Sequence, residues 1–197
     1  VMSAAACFYD PFYRPEGRRI RAGSSYRQIG GIVAYVEKEF NYPTYGELGG
    51  DGDISVIRLI TPLEYSPVIQ QGAIISQGFV TPDGLPVVQA GWGLTTVSFF
   101  IPSSSSCPYP TLGGVKLCAE RYGALPRPDY VTENMICHGI PGVGGSDRCQ
   151  GDTGGPLYYG NIIIGVMSWG FGCANEHFPG VSTSVASYTD WIVATAV

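Results

Sequence analysis

Residues 162–170, Ile-Ile-Ile-Gly-Val-Met-Ser-Trp-Gly, form an apolar run of strand length that ends in a glycine turn. Such a run is too short for a core helix, and the chain is cut into similar pieces elsewhere. Residues 31–36 (GIVAYV), 53–59 (DISVIRL, with Ile54 and Val56 on one face) and 85–93 (LPVVQAGWG) repeat the pattern. With 28 Gly and 15 Pro in 197 residues, turns interrupt the chain too often for long helices. Glu and Lys are scarce while Val, Ile, Tyr and Thr are common, which favours an all-β protein. Residues 101–110 (IPSSSSCPYP) are polar and Pro-flanked, as in an exposed connection between lobes. Near the end, Ser187 and Asp190 stand three apart like a capping box, and Tyr188, Trp191 and Ile192 make one apolar stripe. The sequence therefore predicts two β lobes and a short C-terminal helix.

Several function classes are disfavoured by composition. A net charge of −5 without a basic cluster argues against nucleic acid as a partner. Apolar runs such as 162–166 are far too short to cross a bilayer, so no membrane partner is expected. Val1 begins in an apolar stretch with no basic residue before it, unlike a secretory leader. The six cysteines are scattered without zinc-ligand spacing, which suggests disulfides and a secreted, extracellular setting with no metal and no organic cofactor.

The richest chemical signal is Cys149-Gln150-Gly151-Asp152-Thr153-Gly154-Gly155-Pro156-Leu157. Acyl transfer needs a glycine-rich turn that aims backbone N–H groups at a developing oxyanion, with a hydroxyl at its centre. This segment resembles the CQGDSGGPL signature of trypsin- and chymotrypsin-like serine proteases, with Thr153 at the nucleophile position. Residues 1–7 (VMSAAAC) are similar to the motif around that family's general base, with Ala6 where histidine should stand. Residues 53–59 resemble the motif that supplies the triad aspartate, carried over to Asp53. Gly91-Trp92-Gly93, Asn134-Met135-Ile136-Cys137, Ser168-Trp169-Gly170 and Pro179-Gly180-Val181 match further landmarks in order. VTENMIC and PDGLPVVQAGWG are most similar to insect gut trypsins.

The resemblance implies a fold of two six-stranded antiparallel β-barrels and a C-terminal helix, with the first barrel incomplete. Residues 1–100 would hold the rest of the first barrel, 101–185 the second with its connecting loop, and 186–197 the helix. It also implies an oxyanion hole from the Gly151 and Thr153 N–H groups. Asp147 would form the floor of a pocket for Arg or Lys, bounded by Ser168, Trp169, Gly170 and Gly180. The bridges implied are Cys118–Cys137 and Cys149–Cys173, with Cys7 pairing upstream of Val1. Cys107 matches no standard position; it could pair with a partner chain, bridge to Cys7 or stay free. The aspartate corresponding to Asp152 normally pairs with a new N-terminus, for which no partner is visible here. A separate N-terminal segment or chain is expected to complete the first barrel, since a barrel lacking strands exposes edges. The family's calcium loop would fall near Glu16 to Arg27, whose basic content disfavours calcium.

The two substitutions carry a physical argument of their own. A serine-type hydroxyl is a weak nucleophile without a base, and Ala6 has nothing to titrate. Thr153 adds a methyl on Cβ that stiffens χ1. In an analogous triad, loss of one member costs on the order of a millionfold, or about 8 kcal/mol of barrier. The two histidines, His138 after Cys137 and His177 in the loop Asn175-Glu176-His177-Phe178, read as solvated loop residues rather than substitute bases. The reading is an inactive homologue that binds proteins or basic peptides. The alternatives are a working or slow endopeptidase cleaving after Arg or Lys, an engineered knockout of one, and a storage or structural protein on the same scaffold.

Overall fold

Glycine turns and strand-length apolar runs give eleven strands among the described residues of the computed structural model, which are 1–9, 15–94, 111–126, 129–139, 147 and 149–196. The strands are β1 (Met2–Ser3), β2 (Arg19–Ala22), β3 (Ile32–Asn41), β4 (Ser55–Leu59), β5 (Ala73–Ile74) and β6 (Val88–Gln89). They continue with β7 (Thr111–Gly113), β8 (Met135–Gly139), β9 (Pro156–Tyr159), β10 (Ile162–Trp169) and β11 (Gly180–Ser184). One sheet has the order β1-β4-β3-β2, and the other runs β6-β9-β10-β11-β8-β7 with β5 added beside β10. Every pairing is antiparallel except β5 with β10. The two sheets curl into half-barrels, as the all-β expectation required. β5 and β6 precede residue 100 yet join the second sheet, so membership of that sheet starts earlier in the chain. The described strands form sheets of four and seven.

Two α-helices are found among the described residues. The second, α2 (Thr189–Thr195), is the expected C-terminal helix, and its stripe packs Tyr188 and Ile192 into the core. Tyr42 meets both Tyr188 and Trp191 edge to face, at centroid distances of 4.6 and 5.2 Å. The capping box does not form. Tyr188 is the N-cap residue, and the Asp190 N–H donates to Gln77 Oε1 at 2.9 Å. A distant amide thus satisfies a donor that the local pattern assigned to Ser187. The first helix, α1 (Val115–Gly123), was not expected. Its signal is the i, i+3, i+7 spacing of Val115, Cys118 and Tyr122, of which Cys118 and Tyr122 are buried.

One apolar core joins the sheets. Ile54 and Val56 of the first half pack with Val87, Leu157, Ile164, Val166 and Val185 of the second. A smaller cluster under α1 gathers Cys118, Tyr122, Met135, Cys137 and Val181. Leu157 is fully buried where β9 pairs with β6 and β10. Leu157→Ala should therefore cost about 2–5 kcal/mol in denaturant unfolding, while an Ala at exposed Val193 costs under about 0.5 kcal/mol. Equal effects at the two sites would contradict this packing.

Candidate active site

Asp53 lies one residue ahead of Ile54 and two ahead of β4, and its side chain turns inward. Ala6 occupies a single 3-10 turn, Ala5–Phe8, just after β1. β1 pairs with β4 through Met2↔Val56 and Ser3↔Ser55, which brings this turn over Asp53. The Ala6 N–H then donates to Asp53 Oδ1 at 2.7 Å. The other carboxylate oxygen accepts from Ser168 Oγ. Ser168 reaches it because the β10–β11 register slips between Met167 and Trp169, and a bulge re-aims side chains. Burial is the main influence on this carboxyl and pushes its pKa up, while the Ser168 hydroxyl and the Ala6 and Ala5 N–H groups pull it down. The donors that a buried carboxylate requires are therefore a backbone amide and a hydroxyl, with only a methyl group at the base position.

The turn carrying Thr153 is held on several sides. Asp152 N–H donates to the Cys149 carbonyl at 3.1 Å, Gly154 N–H to Met167 at 2.7 Å, and Gly155 N–H to Asp152 at 2.9 Å. Gly151 and Gly154 have φ of +94° and +87°, conformations that L side chains rarely adopt. Asp152 was expected to lack a partner, but its carboxylate accepts from Gly93 N–H at 2.8 Å and Cys149 N–H at 3.0 Å. Gly91 and Gly93 permit this, because a Cβ on either would collide with that carboxylate. The Thr153 hydroxyl donates to the Ser168 carbonyl at 3.1 Å. Asp53 and Thr153 are thus brought to the same bulge, one on the Ser168 side chain and one on its backbone.

Asp147 sits against β11, where its Oδ2 accepts from Gly180 N–H at 2.6 Å. His138 corrects an expectation: it lies in β8, fully buried, rather than in a solvated loop. A buried imidazole needs partners, and His138 has Asp147 Oδ1 at 2.9 Å from Nδ1 and Ser182 Oγ at 2.7 Å from Nε2. Gln89 Nε2 also donates to Asp147 Oδ1 at 3.2 Å. Gln89 and Ser182 were not singled out in the sequence. Their signal is a polar residue inside an apolar strand, as in Val87-Val88-Gln89 and Val181-Ser182, which demands a buried partner.

The remaining candidates fall as follows. His177 is exposed beside Glu176 at 3.3 Å, as expected for a loop residue. Cys118–Cys137 and Cys149–Cys173 are bonded. Cys7 is a half-buried thiol whose pKa is pushed up chiefly by burial, and its Sγ lies 3.6 Å from the Thr153 carbonyl. Cys107 lies outside the described residues. In the loop expected to exclude calcium, the Arg21 guanidinium donates to the Arg27 and Gly30 carbonyls. Ser168 and Trp169 line a cavity of about 530 Å3 together with Ala6, Asp53, Tyr45 and Tyr130. Gly170 follows β10 directly, and Gly180 opens β11 with its N–H on Asp147 Oδ2.

A family model described as trypsin matches residues 1–192. The chain is 36% identical to the alkaline trypsin C of Manduca sexta over 88% of its own length and 67% of that protein. It is 34% identical to the trypsin CFT-1 of Choristoneura fumiferana over its full length and 75% of that protein. A vitellin-degrading protease of Bombyx mori is 33% identical over 98% of this chain and 70% of its own length.

The Asp53 geometry makes a prediction about pH. Because the folded carboxyl is held above its ordinary value, the native state binds its proton more tightly than the unfolded chain does. The associated stability is fully present below the ordinary carboxyl range and is lost as pH rises through it toward the raised folded value. Asp53→Asn keeps an acceptor for the Ala6 N–H and does not titrate. Its stability relative to the parent should therefore rise between pH 4 and pH 7 in urea unfolding. A difference that stays flat or falls would contradict the burial argument.

Proposed function

The chain belongs to the trypsin family, and we propose that it is a member without catalytic activity that binds other proteins through peptide segments laid in its cleft. The observation that carries this reading is the Asp53–Ala6 contact. The triad carboxylate is buried and hydrogen-bonded, yet what it holds is a backbone N–H, and no imidazole stands between it and the Thr153 hydroxyl. The hydroxyl instead points at the Ser168 carbonyl, which accepts its proton without being able to remove it. Peptide binding is supported by the cavity lined by Tyr45, Tyr130 and Trp169, since aromatic walls bury extended chains well.

A basic side chain would need Asp147, whose carboxylate is engaged inside the fold by Gly180, His138 and Gln89. A further segment, from this or another polypeptide, is part of the proposal. The first sheet leaves Ile32, Val33 and Tyr35 of β3 and Ile60 beyond β4 exposed, apolar surface at one end of the sheet suited to covering. Secretion is also proposed, supported by the two disulfides; no helix among the described residues is long and apolar enough to cross a membrane. A second reading, a slow endopeptidase, is favoured by relatives that are themselves named trypsins.

One comparison separates the readings. The parent protein and Thr153→Ala, purified identically, should release fluorescent peptides from labelled casein at the same background rate. The parent should also bind a labelled unstructured peptide pool saturably in fluorescence anisotropy. A parent rate more than about tenfold above the variant would establish the slow enzyme, and a flat anisotropy titration would leave an inert scaffold.

A further inference from the structure

Strand β8 is fixed to α1 by the Cys118–Cys137 bridge, and the next residue is His138. Its partner across the ladder is Gly180, paired directly with His138 in the β8–β11 register. A side chain at Gly180 would strike both the Asp147 carboxylate and the His138 ring, so glycine leaves the gap in which the two meet. The His138 and Asp147 side chains are 0% and 4% exposed. Nδ1 stands 2.9 Å from both Asp147 Oδ1 and Gln89 Nε2, and Nε2 stands 2.7 Å from the Ser182 hydroxyl oxygen, so the imidazole is enclosed on both nitrogens. With Gly180 N–H on one oxygen and Gln89 and His138 on the other, the carboxylate is engaged inside the fold.

A guanidinium or ammonium entering from the cleft would have to take over acceptor positions already filled. It would also leave the buried imidazole without its Asp147 contact. Breaking a buried pair from one side is costly, and the strand carrying His138 is held by ladder bonds and a disulfide.

We propose that His138 is a specificity-determining residue: by engaging Asp147 it withdraws the acid from the pocket, and the site takes peptides that present an uncharged side chain there. The proposal rests on the reading that the cleft binds peptides. It reassigns Asp147 from receiving a ligand's charge to closing a buried network of Gln89, His138, Gly180 and Ser182.

The test uses p-aminobenzamidine, an aromatic amidinium, and p-aminobenzamide, its neutral isostere, titrated by saturation-transfer NMR into the native chain. A second series uses His138→Leu, which keeps most of the volume and removes the Asp147 partner. The native chain should bind the amide at least as tightly as the amidinium. His138→Leu should tighten the amidinium about tenfold or more and change the amide little. Native binding that favours the amidinium tenfold, or an unchanged ratio in a His138→Leu protein that melts cooperatively, would overturn the proposal. If His138→Leu fails to fold, the native ratio alone decides. If neither probe binds either protein, the cleft reading falls and takes this proposal with it, whereas an amide that binds without any shift in ratio sinks this proposal alone.

Discussion

The buried Asp53 carboxylate is the constraint around which the site is arranged. Taking a carboxyl out of water is expensive, and the fold meets that cost with donors from two distant segments. One is the backbone of the 3-10 turn at Ala6, the other the hydroxyl of Ser168 at the end of β10. The Thr183 hydroxyl adds a bond of 2.8 Å to the Asp53 carbonyl. The first sheet is thereby tied to β10 and β11 of the second. The two donors that fix its place need no imidazole at residue 6.

The same holds for the neighbouring turn. The Thr153 turn depends on Asp152, on Gly151 and Gly154 with positive φ, and on the close approach of Gly91 and Gly93. None of those interactions involves a base or a nucleophile. The Thr153 turn and the Asp53 carboxylate are set by packing and by hydrogen bonds in which the side chain of residue 6 takes no part. The Asp147 carboxylate is likewise engaged inside the fold, by Gly180, His138 and Gln89.

Much of this could be read before any coordinates. Residues 149–157, 53–59 and 1–7 pointed to the family and to Thr153, Asp53 and Ala6 because their motifs are specific in order and spacing, and the resemblance implied the two bridges that form. Short-range signals fared less well. The Ser187/Asp190 pattern lost to Gln77, more than a hundred residues away, and α1 was overlooked in a chain dominated by strands. His138 was misplaced because a single polar residue after a cysteine looks like the start of a loop. Its burial depends on Asp147, Ser182 and Gln89, which meet only through sheet register and tertiary packing. The Asp152 contacts likewise depend on the Gly-rich bend folding back over the turn.

The central proposal is that the frame of the site is in place while residues 6 and 153 do not supply a working base and nucleophile. Its most direct test is labelling with a fluorophosphonate probe and mapping the adduct by mass spectrometry, on the parent chain and on the Ala6→His, Thr153→Ser double variant. A mapped adduct belongs to this chain, whereas bulk turnover can come from a contaminating protease. The account predicts no adduct on Thr153 in the parent and stoichiometric labelling at residue 153 in the double variant. An adduct on Thr153 of the parent at a comparable rate would mean that some other group activates its hydroxyl, and would contradict the account.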